Sequence, residues 1–126
     1  MYEVTTTGAP GGSGPFSQAI VEDGKIYTAG QGGVDPETGE IVHGGIVPEA
    51  EQVVNNIEKI LKAAGASLND IIKVNIYLTN IEDYDELNKT YSEFFDDPYP
   101  ARSVVEVSDL PIDIRIEVET VARLPE

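Results

Sequence analysis

The sequence predicts an α+β sandwich with both helices on one face of the sheet. Three observations carry this. Residues 71–78 and 112–122 alternate apolar and polar at the period of a half-buried strand. Apolar residues over 48–64 and 84–95 recur at helical spacing. Two short apolar runs flank Asp23-Gly24 as a hairpin. The order is strands, helix, strand, helix, strands. No repeat, linker or low-complexity segment interrupts it, so residues 1–126 read as a single domain.

Each element has a local cause. Gln18–Glu22 meets Lys25–Ala29 across Asp23-Gly24, a pair suited to a type I′ turn because both central residues need positive φ. Gly30-Gln31-Gly32-Gly33 then reads as a flexible stretch where backbone can approach a ligand closely. Asp35-Pro36-Glu37-Thr38-Gly39 is a turn. Pro48 opens the first helix, and Val53, Val54, Ile57, Ile60, Leu61 and Ala64 form its apolar face. Glu49 and Glu51 near its start and Lys59 and Lys62 near its end suit the helix dipole, and Gly65 stops it. In the strand 71–78, Ile72, Val74, Ile76 and Leu78 are the buried set. Tyr84, Leu87, Tyr91, Phe94 and Phe95 read as the core stripe of the second helix rather than a cofactor box. Arg102–Val107 and Ile112–Ala122 are the last strands. In the final one Ile112, Ile114, Ile116 and Val118 face the core, while Asp113, Arg115, Glu117 and Glu119 face the other way. That charged face is either exposed to water in a monomer or lines a shared cleft in an oligomer.

Composition narrows the function. Eight Lys plus Arg stand against 23 Asp plus Glu, a net charge of −15. The cations are scattered, which opposes binding to nucleic-acid phosphates. There is no cysteine, hence no disulfide, thiol nucleophile or thiolate metal site. The start of the chain lacks a basic, apolar signal pattern, and no apolar run reaches membrane-spanning length, so a soluble cytoplasmic protein without membrane partners is expected.

One residue stands out chemically. Arg102 opens a strand in a chain with only three arginines. Its planar fork suits a small carboxylate ligand. The plain alternative is that it pairs with a neighbouring Asp or Glu. His43, the one histidine, sits in a polar loop and is expected to face solvent, so neither histidine acid–base chemistry nor a histidine-rich metal site is expected. Gly11-Gly12-Ser13-Gly14 lacks the Lys-Ser/Thr ending of a phosphate loop and reads as a mobile N-terminal loop.

Six segments occur in a telling order: Gly14-Pro15-Phe16-Ser17-Gln18-Ala19, Thr28-Ala29-Gly30-Gln31, Asp35-Pro36-Glu37-Thr38-Gly39, Ala63-Ala64-Gly65, Pro100-Ala101-Arg102-Ser103 and Ile116-Glu117-Val118-Glu119. Together they resemble the RidA/YjgF family, the reactive intermediate deaminases once called L-PSP endoribonucleases. The resemblance covers about Gly14 to Ala122. It implies a chorismate-mutase-like α+β sandwich with a mixed β-sheet, assembled as a homotrimer with ligand clefts between subunits. It also implies hydrolysis of 2-enamine and 2-imine acids, such as 2-aminoacrylate or 2-iminobutanoate, to 2-keto acids and ammonia, with no cofactor and no metal.

By this resemblance Arg102 clamps the substrate carboxylate and Glu117 orients or deprotonates the attacking water, with Glu119 on the same strand face as the competing candidate. The backbone at Gly30 and the carbonyl of Val104 approach the ligand, and Asn88 either binds ligand or orients the site. Phe16 and Ala29 occupy substrate-binding positions where many relatives carry hydroxyl residues. Each lost hydrogen bond is worth roughly 0.5–1.5 kcal/mol. Gly32-Gly33 replaces a bulkier pair, which is expected to loosen the cleft wall. Those departures keep a second class open, a non-catalytic binder of small carboxylates or a regulatory, chaperone-like module. Ribonuclease activity is a distant third, opposed by the charge and the single histidine.

Overall fold

The computed structural model describes residues 1–12 and 14–126; Ser13, in the glycine-rich loop read above as mobile, lies outside the described residues. The strands are β1 (Tyr2–Val4), β2 (Ala19–Glu22), β3 (Lys25–Thr28), β4 (Ile71–Leu78), β5 (Ala101–Glu106) and β6 (Ile116–Arg123), and the helices are α1 (Ile46–Ala64) and α2 (Tyr84–Ser92). One mixed sheet runs β1-β2-β3-β6-β4-β5. Only β4 and β5 pair in parallel, joined by α2 as the crossover. Both helices cover one face, as expected.

The local expectations hold in their chemistry and shift at their edges. Asp23 and Gly24 have φ of 50° and 73°, as the hairpin turn requires. Helix α1 starts two residues before Pro48, which sits within the first turn, where its missing N–H is no loss. Gly65 ends α1 at φ 92°, its N–H returning to the carbonyls of Leu61 and Lys62. Helix α2 stops at Ser92, short of Phe94 and Phe95.

Two core assignments change. A bulge between Ile71 and Lys73 turns Ile71 inward and leaves Ile72 43% exposed. The final strand begins at Ile116, not Ile112; the segment before it bends, and Ile112 is 48% exposed while Ile114 stays buried. Strand β1 was not anticipated: it is held by its pairing of Tyr2–Val4 against Ala19–Val21.

The core lies between helices and sheet. Val53, Ile57, Ile60 and Leu61 of α1 meet Val74, Ile76 and Leu78 of β4 and Ile116 and Val118 of β6, all buried. The other face carries Asn75 and Tyr77 of β4, Ser103 and Val105 of β5, and Glu117 and Glu119 of β6. Among the described residues no helix is long and apolar enough to cross a membrane.

Candidate active site

Arg102 sits on edge strand β5 in register with Val74, which puts its side chain on the helix face of the sheet. Its Nη2 donates to Asn88 Oδ1 at 2.7 Å and to the Tyr84 hydroxyl at 3.3 Å. The guanidinium lies 4.7 Å from the ring centre of Tyr91 and 5.7 Å from that of Tyr84. Among the described residues no carboxylate forms an ion pair with it, whereas Arg115 meets Glu49 and Asp83, and Arg123 meets Asp70. The pairing with a neighbouring acid is therefore not seen. A neutral amide and two aromatic rings orient the cation without neutralising it.

Tyr84 and Tyr91 are thus more than core residues. Leu87 and Phe95 are buried, but Tyr84 is 38% exposed and reaches Arg102 with its hydroxyl. Burial pushes the Tyr91 phenol up, with the Arg102 charge acting the other way. The spacing that put these rings in one stripe was sound; the arginine at its edge was not visible in it.

Glu117 lies on the opposite face of the sheet, directly across from Tyr77. Beside it runs the segment 29–34. Gln31 makes a two-way bridge with Val118, donating to its carbonyl at 2.8 Å and accepting from its N–H at 3.0 Å. This draws Gly30 so close that an added Cβ would stand 2.7 Å from Glu117 Cδ. The glycine-rich stretch is tightly packed rather than loose. A Cβ on Gly32 would meet Ile114 Cδ1 at 2.7 Å, and one on Gly33 would meet Glu49 Cα at 3.0 Å. Asn56 Nδ2 ties down the carbonyls of Gly32 and Val34. Ile114 and Glu49 close in on the glycine pair, so the anticipated loosening of the wall does not occur.

Gly30, Gly32, Glu117, Ile112, Ile114 and Gly12 border an open cleft of ≈ 1030 Å³, solvent at its mouth included. Phe16 backs this loop, since a Cβ on Gly12 would lie 2.3 Å from its ring. Ala29 follows β3, its N–H donating to Gln18 O at 2.9 Å. Gln18 is the organiser that sequence reasoning quoted but gave no role. Its side-chain amide donates to the carbonyls of Thr6, Ala9 and Pro10, and its oxygen accepts from Thr6 N–H. An amide in the first motif, buried beside an N-terminal loop, was the available signal.

The electrostatics differ between the two groups. Burial pushes the Glu117 carboxyl up, and the neighbouring Glu119 charge adds to the effect. The site residues therefore fall into two sets: Arg102 and Asn88 on the helix face at the β5 edge, and Glu117 and Gly30 at the cleft with Phe16 and Ala29 on its flank. Val104 shares the helix face with Arg102, in register with Ile76 and packed against the core. His43 is exposed. Among the described residues no group of three His, Asp or Glu side chains is placed to hold a metal ion.

Known proteins resemble this chain in sequence and in fold. A family model described as endoribonuclease L-PSP covers residues 6–124. A RutC family protein of Pyrococcus abyssi is 50% identical over 119 residues, 94% of each chain. A human protein named 2-iminobutanoate/2-iminopropanoate deaminase is 42% identical over 119 residues, 94% of this chain and 87% of the human one. The crystal structure of Escherichia coli TdcF with bound serine superposes with a TM-score of 0.93 at 36% identity, covering 99% of this chain and 100% of that one.

Proposed function

The chain belongs to the endoribonuclease L-PSP family, the RidA/YjgF proteins, and on that premise we propose that it hydrolyses 2-imine and 2-enamine acids to 2-keto acids and ammonia. The observation that carries this reading is Arg102: a cation on a chain of net charge −15, oriented by Asn88 and two tyrosines, with no acid paired to it among the described residues. A relative carrying the deaminase name and a structural neighbour holding serine, an amino acid with a carboxylate, support the substrate class.

Arg102 binds the substrate carboxylate and fixes the imine carbon. Glu117 takes a proton from water, whose oxygen attacks that carbon as the C=N π bond breaks and its electrons go to nitrogen. Glu117 returns that proton to the nitrogen, which completes the carbinolamine. The hydroxyl proton then passes by way of Glu117 to the nitrogen as the C–N bond cleaves, so ammonia leaves and the oxygen becomes the keto oxygen. Because Arg102 and Glu117 lie on opposite faces of one sheet, one copy supplies the clamp and a neighbouring copy supplies the base. That places the site between subunits, and the family resemblance adds that the assembly is a homotrimer.

A coupled assay tests it: threonine or serine dehydratase generates the imine, and keto-acid appearance is followed with and without this protein. Arg102→Ala should abolish the acceleration while circular dichroism stays unchanged. Glu117→Gln should lower kcat by about 10²–10⁴-fold, the range for a lost general base. Unchanged acceleration in either variant would overturn its assigned role.

A second reading rests on Phe16 and Ala29, which bring no hydroxyl to the cleft: the protein binds small carboxylates without catalysis. Keto-acid binding by calorimetry with no effect on imine lifetime would favour it. The ribonuclease in the family description is opposed by the charge of −15 and the scattered cations.

A further inference from the structure

Two carboxylates of β6 share the open face, and their surroundings differ. Glu119 is held: the Tyr77 hydroxyl donates to its Oε1, and Asn75 Nδ2 approaches the same oxygen at 3.4 Å. Asn75 is its direct cross-strand partner and Tyr77 its diagonal one. Among the described residues Glu117 accepts no comparable bond, and its carboxyl is pressed against Gly30 at the cleft.

We propose that Glu119 is a positioning residue for Glu117: clamped by Tyr77 and Asn75, it stands as a fixed second negative charge on the same face and makes Glu117 the carboxylate of the pair that takes up the proton. The inference deepens the reading of Glu117 as base and rests on it for its catalytic meaning. The groups facing Glu117 are few. Strand β6 contributes Glu119, β4 contributes Tyr77, the loop beside it contributes the uncharged backbone of Gly30, and Asp35 borders the same cleft. The shifts agree. Glu117 is pushed up by burial and then by the Glu119 charge. Tyr77 is pushed up first by its bond to Glu119, then by burial and by both carboxylates, so it stays a neutral donor.

Removing the Glu119 charge and removing its Tyr77 donor should have opposite effects. Glu119→Gln keeps the size and the acceptor for Tyr77 but deletes the charge, so Glu117 should titrate at lower pH than in the wild type. Tyr77→Phe leaves the Glu119 charge without its hydroxyl donor, so Glu117 should titrate at higher pH. Carboxyl carbon NMR of ¹³C-Glu protein, with Glu117 assigned through Glu117→Gln, reads both shifts, and the acid limb of the imine-hydrolysis profile should move in the same directions. An unchanged Glu117 titration in folded Glu119→Gln, or a downward shift in Tyr77→Phe, would overturn the proposal. The NMR shifts do not require catalysis. If they appear in a protein that does not accelerate imine hydrolysis, the charge coupling stands and the deaminase reading falls.

Discussion

Asp70 shows how single side chains tie the fold together. It closes the short 3-10 turn over Leu68–Asp70, accepting from Ser67 N–H at 2.9 Å, and it holds Arg123 Nε of β6 at 3.2 Å. Burial alone would raise its carboxyl. The Ser67 and Arg123 hydrogen bonds and the Arg123 charge outweigh burial and hold it below the ordinary 3.8. The folded chain thus keeps Asp70 ionised more firmly than the unfolded chain does. Its contribution is present in full above pH 3.8 and is lost as the pH falls through the lower folded-state value. Asp70→Ala should cost about 1–2 kcal/mol near neutrality by urea unfolding, with the gap to wild type narrowing in that acidic window. Glu49 has the opposite sign: burial raises it despite the Arg115 N–H and charge, so its contribution is full below 4.5 and declines as the pH rises.

At the scale of elements, the segment 29–34 and strand β6 form one unit. The Gln31–Val118 bridge is what brings Gly30 onto Glu117. Gly30→Ala would push the end of a flexible side chain rather than backbone, so the melting temperature should change little. The displaced carboxylate should nevertheless lower kcat/KM by about 10²-fold, the scale of a 1 Å misplacement at a reacting centre. A melting temperature lowered in step with activity would point to simple misfolding instead. Much of the sheet was legible beforehand. The alternation of 71–78 marked β4 to the residue, and Asp-Gly marked the hairpin. What escaped depends on non-local pairing. The bulge that exchanges Ile71 for Ile72 arises only against β6, and β1 has no pattern of its own beyond three residues that β2 accepts. Glu117 and Arg102 were legible as residues. That they occupy opposite faces was not, because it follows from the parallel register of β4 with β5.

The whole molecule has one covered face and one open face, with Arg102 on the first and Glu117 on the second. Tyr27 and Val105 leave apolar surface on the open side, 44% and 47% exposed, beside Glu117 and Glu119. The β5 edge beyond Arg102 is a sheet edge without a strand on it. Such a division has a genetic consequence. Two inactive proteins, Arg102→Ala and Glu117→Gln, each keep the half that the other has lost. Unfolded together in equal amounts and refolded, they should regain activity if the proposed site is shared between subunits, because the intact Arg102 of one subunit then meets the intact Glu117 of the next at about a quarter of the sites. A double variant carrying both changes on one chain, refolded with an equal amount of wild type, should halve the activity per wild-type chain, because half of the wild-type residues then face a defective neighbour; simple dilution is the outcome for a site within one chain. Silence from the mixed pair, despite mixed trimers seen by native mass spectrometry, would return both residues to a single chain. Recovery would make each subunit heritable only in company: two defective alleles in one cell would complement, and neither would do so alone.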